Sequence, residues 1–311
     1  MSLADELRAR IRRDGPMRFD AYMAACLTAY YGRGPDIGPG GDFSTSVRFP
    51  AFREGIARLV EATGVARVVE LGAGTGELAR SVLARVPRVE FHTVDASGGL
   101  REKQRHAGAT PHTTLDELAP GEPTLVFGNE VLDALPVRRI AGGPAGALEV
   151  YVDLAADGRF RDRLLPAPDA PFVPARGQIC DVAPGLEAFV RDAARLADPG
   201  FLVLIDYGDV AETLYAPTRL NGTLAAYRAH EQHQDWYANV GEQDLTADVD
   251  WSAVSRAATA AGLEELGLVT QGRFLRALGV DDAEVVSPAR LGSAFQVYAA
   301  RRGTTRGLPG F

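Results

Sequence analysis

The segment VVELGAGTGELA, residues 68–79, constrains this chain more than any other. An apolar run ends on an acid, Glu70; glycines then alternate at Gly72, Gly74 and Gly76, and an amphipathic stretch follows. That order predicts a strand, a tight loop whose bare backbone approaches a ligand closely, and a helix beginning beneath it. The dinucleotide fingerprint needs its third glycine one residue later, where Glu77 stands, so the spacing argues against a nicotinamide cofactor. Charge argues the same way, because a pyrophosphate seeks free N–H groups and a nearby carboxylate repels it. S-Adenosylmethionine has the opposite requirement. It carries a sulfonium and an ammonium against one carboxylate, so an acid at the strand end attracts it. Downstream, VEFHTVDAS (89–97) alternates as a second strand and reaches Asp95, where such folds place the carboxylate that accepts both ribose hydroxyls.

Composition narrows the partners. A chain of 311 residues, 46% hydrophobic and 24% charged, is long enough for one large α/β domain with insertions. The net charge of −8 and the absence of a lysine/arginine cluster disfavour a nucleic-acid backbone as the main partner, so no nucleic acid is expected, and an acidic protein suits a cationic substrate. Cys26 and Cys180 stand far apart without a partner motif, which supports neither a disulfide framework nor a thiolate zinc site. His230 and His233 are spaced i and i+3, whereas a zinc helix needs i and i+4, so no metal is expected. The N-terminus mixes acids with arginines and has no apolar core, and no window approaches the roughly twenty apolar residues of a membrane span. No membrane partner is expected, and the expected location is cytoplasmic.

Hydrophobic spacing predicts a doubly wound, mainly parallel, Rossmann-like α/β fold. Residues 1–63 read as a helical N-terminal cap, with helices over 3–13, 18–30 and 51–63 and a Gly/Pro-rich loop over 32–50 lying above the cofactor site. Residues 64–311 read as the cofactor-binding domain, with strands at 66–71, 124–127, 201–208, 264–270 and 294–300 besides the second strand. It carries two insertions, an antiparallel one over 141–180 and an aperiodic one over 209–250. The tail GTTRGLPGF is expected to fray.

The assembled motifs resemble the MidA-like, DUF185 class of S-adenosylmethionine-dependent methyltransferases. The likeness rests on DGPMRFDAYM (14–23), GDFSTS (41–46), ELGAGTGELA (70–79), LREKQ (100–104), GNEVLDALPV (128–137), LIDYG (204–208), NGTLAAYRAH (221–230), DLTADVDW (244–251) and TQGRFLRALG (270–279). It implies a class I methyltransferase fold with inserted substrate-binding elements. For the mitochondrial branch, whose members assist respiratory complex I assembly, it implies a protein arginine as acceptor. The chain departs from the pattern at Val47-Arg48, where the family usually has Pro-Glu, in its short Ala29-Tyr30-Tyr31-Gly32 segment, and at Gly98-Gly99. The first two departures fall on the acceptor side.

Methyl transfer asks the protein to position a nucleophile and remove its proton. Strand ends in doubly wound sheets face the ligand, which places Asn129, Glu130 and Asp133 beside the methyl group as candidate catalytic residues. A guanidinium needs carboxylates to fix its plane, and Glu130 and Asp133 are the candidates. Candidate cofactor residues are Glu70, Gly72, Gly74, Gly76, Asp95 and Asn129, with Gly41, Asp42 and Thr45 closing over them. Asp206, Tyr207, His230 and Asp244 are candidate substrate contacts, and Asp250 reads as the cap of a helix beginning at Trp251. The acceptor is a protein or a small molecule. An assembly factor that binds the cofactor and holds a partner protein is the non-enzymatic alternative, and the insertion surfaces leave self-pairing as a homodimer open.

Overall fold

The structure is a computed structural model that describes residues 1–34 and 45–311. Its main sheet contains β1 (Arg67–Leu71), β2 (Glu90–Val94), β3 (Thr110–His112), β4 (Thr124–Asn129), β5 (Gly200–Asp206), β6 (Glu264–Thr270) and β7 (Gln296–Arg302) in the order β3-β2-β1-β4-β5-β7-β6. The first five in that order run parallel, and β7 is antiparallel to both β5 and β6. β1, β4 and β5 are buried along their whole length, which is why they read as continuous apolar runs rather than alternating ones. The chain winds outward from β1 to β3 and then returns to β4 on the other side of β1. This reversal opens a crevice at the carboxyl ends of β1 and β4.

Among the described residues, the helices of seven residues or more are α1 (Leu3–Asp14), α2 (Phe19–Gly32), α3 (Pro50–Thr63), α4 (Glu77–Arg85), α5 (Gly98–His106), α6 (Leu186–Leu196), α7 (Trp251–Ala260) and α8 (Gln271–Ala277). Phe52, Ile56 and Leu59 of α3 pack with Leu78 and Val82 of α4 and Phe274 of α8 on one face of the main sheet. Val190 of α6 joins Trp251 and Val254 of α7 on the other. Asp250 caps α7 as expected, its Oδ1 accepting the Ala253 N–H at 3.0 Å. The tail does not fray. Leu308 is buried, the Phe311 ring lies tilted against Phe274, and Arg306 donates to the Thr63 carbonyl, so apolar burial overrides the loose composition.

Between β4 and α6 an antiparallel sheet forms from strands Arg138–Gly143, Gly146–Leu154, Phe160–Pro166 and Ile179–Val182. Met17 and Arg18 pair with Val152 and Tyr151 of its second strand, so the start of α2 is sewn to it. Within 209–250, where the sequence shows no period, lie three strands of three or four residues, Ala225–Arg228, Glu231–His233 and Asp244–Thr246. Strands this short carry too few residues to display alternation. α1 and α2 share one core with both inserted regions, through Leu7, Phe19, Tyr22, Val152 and Leu245.

An ion pair fastens the two inserted regions together. Arg139 Nε donates to Asp181 Oδ1 at 3.0 Å, and the guanidinium lies over the Trp236 ring, 4.3 Å from its centroid. The other oxygen of Asp181 accepts the N–H groups of Thr223 and Leu224. Both side chains are almost fully buried, so removing one leaves the other charge stranded. Arg139→Ala is expected to destabilise the fold by about 3–5 kcal/mol in urea unfolding. A loss below about 1 kcal/mol, the worth of an exposed pair, would contradict this account of how the insertions are held.

Candidate active site

The crevice at β1 and β4 is a cleft of about 920 Å³. Glu70, Gly72, Gly74 and Thr75 form one wall, with Asp95 and Ser97 beyond them. Asn129 and Glu130 form the floor, and Tyr31 of α2 with Thr45, Val47 and Phe49 lie across from it. Gly72, Gly74 and Gly76 all have positive φ, at 66°, 51° and 79°, a conformation that a side chain would strain. A Cβ on Gly76 would also lie 2.9 Å from Ala107 Cβ, so its bareness lets the end of α5 pack against the loop. Gly76 itself caps α4 and is not part of the cleft wall.

Glu70 is buried, and its Oε2 has no hydrogen-bond partner among the described residues. Burial, and then the charge of Asp95, push its carboxyl well above the usual carboxylate range. Asn129 Oδ1 is likewise buried without a partner. Two orphaned acceptors beside three left-handed glycines fit a ligand that brings donors and positive charge. S-Adenosylmethionine is such a ligand: Glu70 would meet its ammonium, the glycine loop its backbone-facing side, and Asp95 its ribose.

Glu130 follows β4 with φ 52°, a left-handed conformation rare outside glycine. Its Oε1 accepts the Ser46 N–H at 2.8 Å and Asn129 Nδ2 at 2.9 Å, which leaves Oε2 unspent by those bonds. Burial pushes its carboxyl up to about 8, the Asp133 charge adds to this, and the Ser46 and Asn129 donors oppose it. Ser46 is held in turn by α8, its hydroxyl lying 3.3 Å from the oxygen of the buried Gln271 side chain. Arg53 donates to the Val47 and Arg48 carbonyls and to Glu77, so this covering segment is tied down on both sides. Sequence reading missed Ser46 and Gln271, although both lie inside motifs it had singled out.

Several sequence-derived candidates stand elsewhere. Asp133 is behind the cleft wall, where its Oδ2 accepts the Tyr207 hydroxyl at 2.6 Å, and burial pushes its carboxyl up to about 6. Asp206 is fully buried and spent on backbone. Oδ2 accepts the N–H groups of Val131, Leu132 and Asp133 within 3.2 Å, and Oδ1 accepts that of Tyr207. It therefore straps the turn that carries Glu130 onto the end of β5 and does not face a substrate. Burial, then Asp133 and Glu130, push its carboxyl upward against those donors. Asp244 accepts the Tyr31 hydroxyl at 3.1 Å behind the wall. His230 sits exposed in the two-residue turn between Ala225–Arg228 and Glu231–His233, with φ 63° following Ala229 at 50°, and does not line the cleft. Gly41 and Asp42 lie outside the described residues, whereas Thr45 is on the wall.

The model of the Methyltransf_28 family of S-adenosyl-L-methionine-dependent methyltransferases matches residues 55–269. The chain belongs to this family. A COG1565 superfamily protein from Burkholderia thailandensis, solved with bound S-adenosyl-homocysteine, is 31% identical with a TM-score of 0.89 over 99% of this chain and 94% of that one. The native structure described for a COG1565 protein of the same organism has a TM-score of 0.86 at 30% identity, over the same shares of the two chains. Among curated relatives, the Drosophila melanogaster protein arginine methyltransferase NDUFAF7 homolog, mitochondrial, is 29% identical over 88% of this chain and 74% of its own length. The Mus musculus protein arginine methyltransferase NDUFAF7, mitochondrial, is 28% identical over 88% and 73%. The chain is an S-adenosylmethionine-dependent methyltransferase of class I fold. The expected cytoplasmic location is overturned by these relatives, which are mitochondrial by name. A missing apolar run speaks to secretion and not to organelle addresses, which are amphipathic and arginine-rich.

Glu70 provides a direct test of the cofactor site. Its raised pKa means that the empty site holds a proton at pH values where a free glutamate does not, and an incoming ammonium favours the ionised form. S-Adenosylhomocysteine binding is expected to release a proton in calorimetry across buffers of different ionisation enthalpy, and Glu70→Gln to abolish that release. Equal proton release from both proteins would contradict the assignment.

Proposed function

We propose that this methyltransferase modifies an arginine guanidinium of a protein partner, with Glu130 orienting the acceptor and taking its departing proton. The observation that carries this reading is the Glu130 carboxylate. It is fixed in a left-handed turn on the cleft lining, with one oxygen held by two N–H donors. A guanidinium is a planar cation that loses its proton only above about pH 12, so its recognition calls for a fixed carboxylate. The names of the curated relatives as protein arginine methyltransferases support the same acceptor.

When bound, S-adenosylmethionine supplies a methyl group already activated by its sulfonium. Glu70 and Asp95 hold the ammonium and the ribose of that cofactor in this reading, and Asn129 places its amide N–H on Glu130 and leaves its Oδ1 for a ligand donor. The acceptor nitrogen that gains the methyl must lose one proton, and Glu130 receives it. Asp206 positions Glu130 by holding the turn that follows it rather than by touching the acceptor.

Because Glu130 works as the ionised form and is pushed up to about 8, methyl transfer is expected to rise with pH through that region. Glu130→Gln is expected to cut transfer about 10²–10⁴-fold, to flatten this pH dependence, and to leave S-adenosylhomocysteine affinity unchanged. Transfer of labelled methyl into protein at several pH values, compared between wild type and variant, measures all three. Full turnover by the variant would sink the assigned role.

A further inference from the structure

The LREKQ motif ends on Gln104, a residue with no role in the account so far. It lies on α5, is fully buried, and its amide makes three hydrogen bonds that use both N–H donors and the oxygen. Thr93 of β2 donates its hydroxyl to Gln104 Oε1 at 2.6 Å. The amide nitrogen donates one proton to the Gly74 carbonyl at 3.0 Å and the other to Asp95 Oδ2 at 3.0 Å. Both latter partners are acceptors only, so the amide has one workable orientation, and the Thr93 hydroxyl completes it.

One side chain thus ties three parts of the cofactor wall: the strand β2, the middle of the glycine loop and the acid after β2. The other oxygen of Asp95 accepts the Ser97 N–H at 2.8 Å, so the carboxylate is gripped at both oxygens and its plane is fixed. Each oxygen keeps lone-pair capacity for a further donor. The close approach of α5 that makes this possible depends on Gly76, whose missing Cβ would lie 3.1 Å from the Gln104 Cα.

We propose that Gln104 is a positioning residue for the cofactor ribose, acting through Asp95, and that it locks the ribose acid to the glycine loop as one rigid recognition unit. This rests on the reading that Asp95 accepts the ribose hydroxyls. The consequence is a specificity for an intact ribose that belongs to the pair and not to Asp95 alone. A glutamine that served only packing would affect stability and overall affinity, but it would not change how the site discriminates between a ribose and a deoxyribose.

The test uses S-adenosylhomocysteine and its 2′-deoxy analogue as probes, with dissociation constants measured by calorimetry. Wild type is expected to prefer the ribose form. Gln104→Leu is expected to weaken S-adenosylhomocysteine about tenfold to a hundredfold, the cost of losing a hydrogen bond to a charged group, and the deoxy analogue much less, so the preference collapses toward one. Thr93→Val, which removes only the hydroxyl that fixes the amide and keeps the volume, is expected to give a partial collapse and serves if the leucine variant does not fold. An unchanged ratio in a folded Gln104→Leu or Thr93→Val variant would overturn the proposal. Asp95→Asn separates the two failures. If it abolishes the preference while the Gln104 and Thr93 variants keep it, only the role of Gln104 is wrong. If Asp95→Asn keeps it, the ribose reading is wrong and the proposal falls with it.

Discussion

Acids taken out of water without a cation to meet them are the constraint on which this structure turns. Among the described residues, Glu70, Glu130, Asp133 and Asp206 are in no ion pair, and burial is the largest cause of the upward shift of each. A fold keeps such groups only where something offsets their desolvation. For Asp206 the offset is four backbone N–H donors, and for Asp133 it includes a tyrosine hydroxyl. Among the described residues Glu70 Oε2 has no such compensation, and Glu70 and Glu130 both line the cleft. A cationic cofactor and a cationic acceptor are the ligands that would supply it.

The sheet generates this arrangement through its winding. Reversal of strand order between β1 and β4 leaves their ends side by side, so Glu70 and Glu130 emerge into one crevice. Asp206 arrives from the next strand and pins the turn after β4, and the N–H of Glu130 is bound by the Ile205 carbonyl. The left-handed conformation of Glu130, which costs of order 1–3 kcal/mol, is thereby over-determined by its neighbours. Helix α2 lines the cleft across from these strand ends. α2 presents Tyr31 from a helix that is sewn to the insertion at Met17 and Arg18.

Much of this was legible in the sequence, and the reasons differ by element. The glycine loop announces itself because three left-handed positions in five residues admit little else, and the buried strands because apolar runs of five to seven residues fit a parallel sheet. Strand-end acids were legible as a group but not individually. Asp206 and Glu130 look alike in sequence, yet one faces backbone N–H groups and the other the cleft, a distinction set by turn geometry. His230 was misleading because a motif position says nothing of which way a hairpin turn points. Gln104, Ser46 and Gln271 were invisible because neutral amides and hydroxyls carry no charge pattern, and only the contacts they make reveal them. The tail was misread because Leu308 and Phe311 are two isolated apolar residues, too few for a periodic signal.

The central claim, that the carboxylate-lined cleft serves a guanidinium, is tested most directly by identifying the methylated atom. Cell extract incubated with the enzyme and labelled S-adenosylmethionine would be separated into protein and small-molecule fractions, and the protein acid-hydrolysed and analysed for methylated amino acids. The account predicts label in methylated arginine from a discrete protein, lost with Glu130→Gln. Label confined to small molecules, or to any other amino acid, would contradict it.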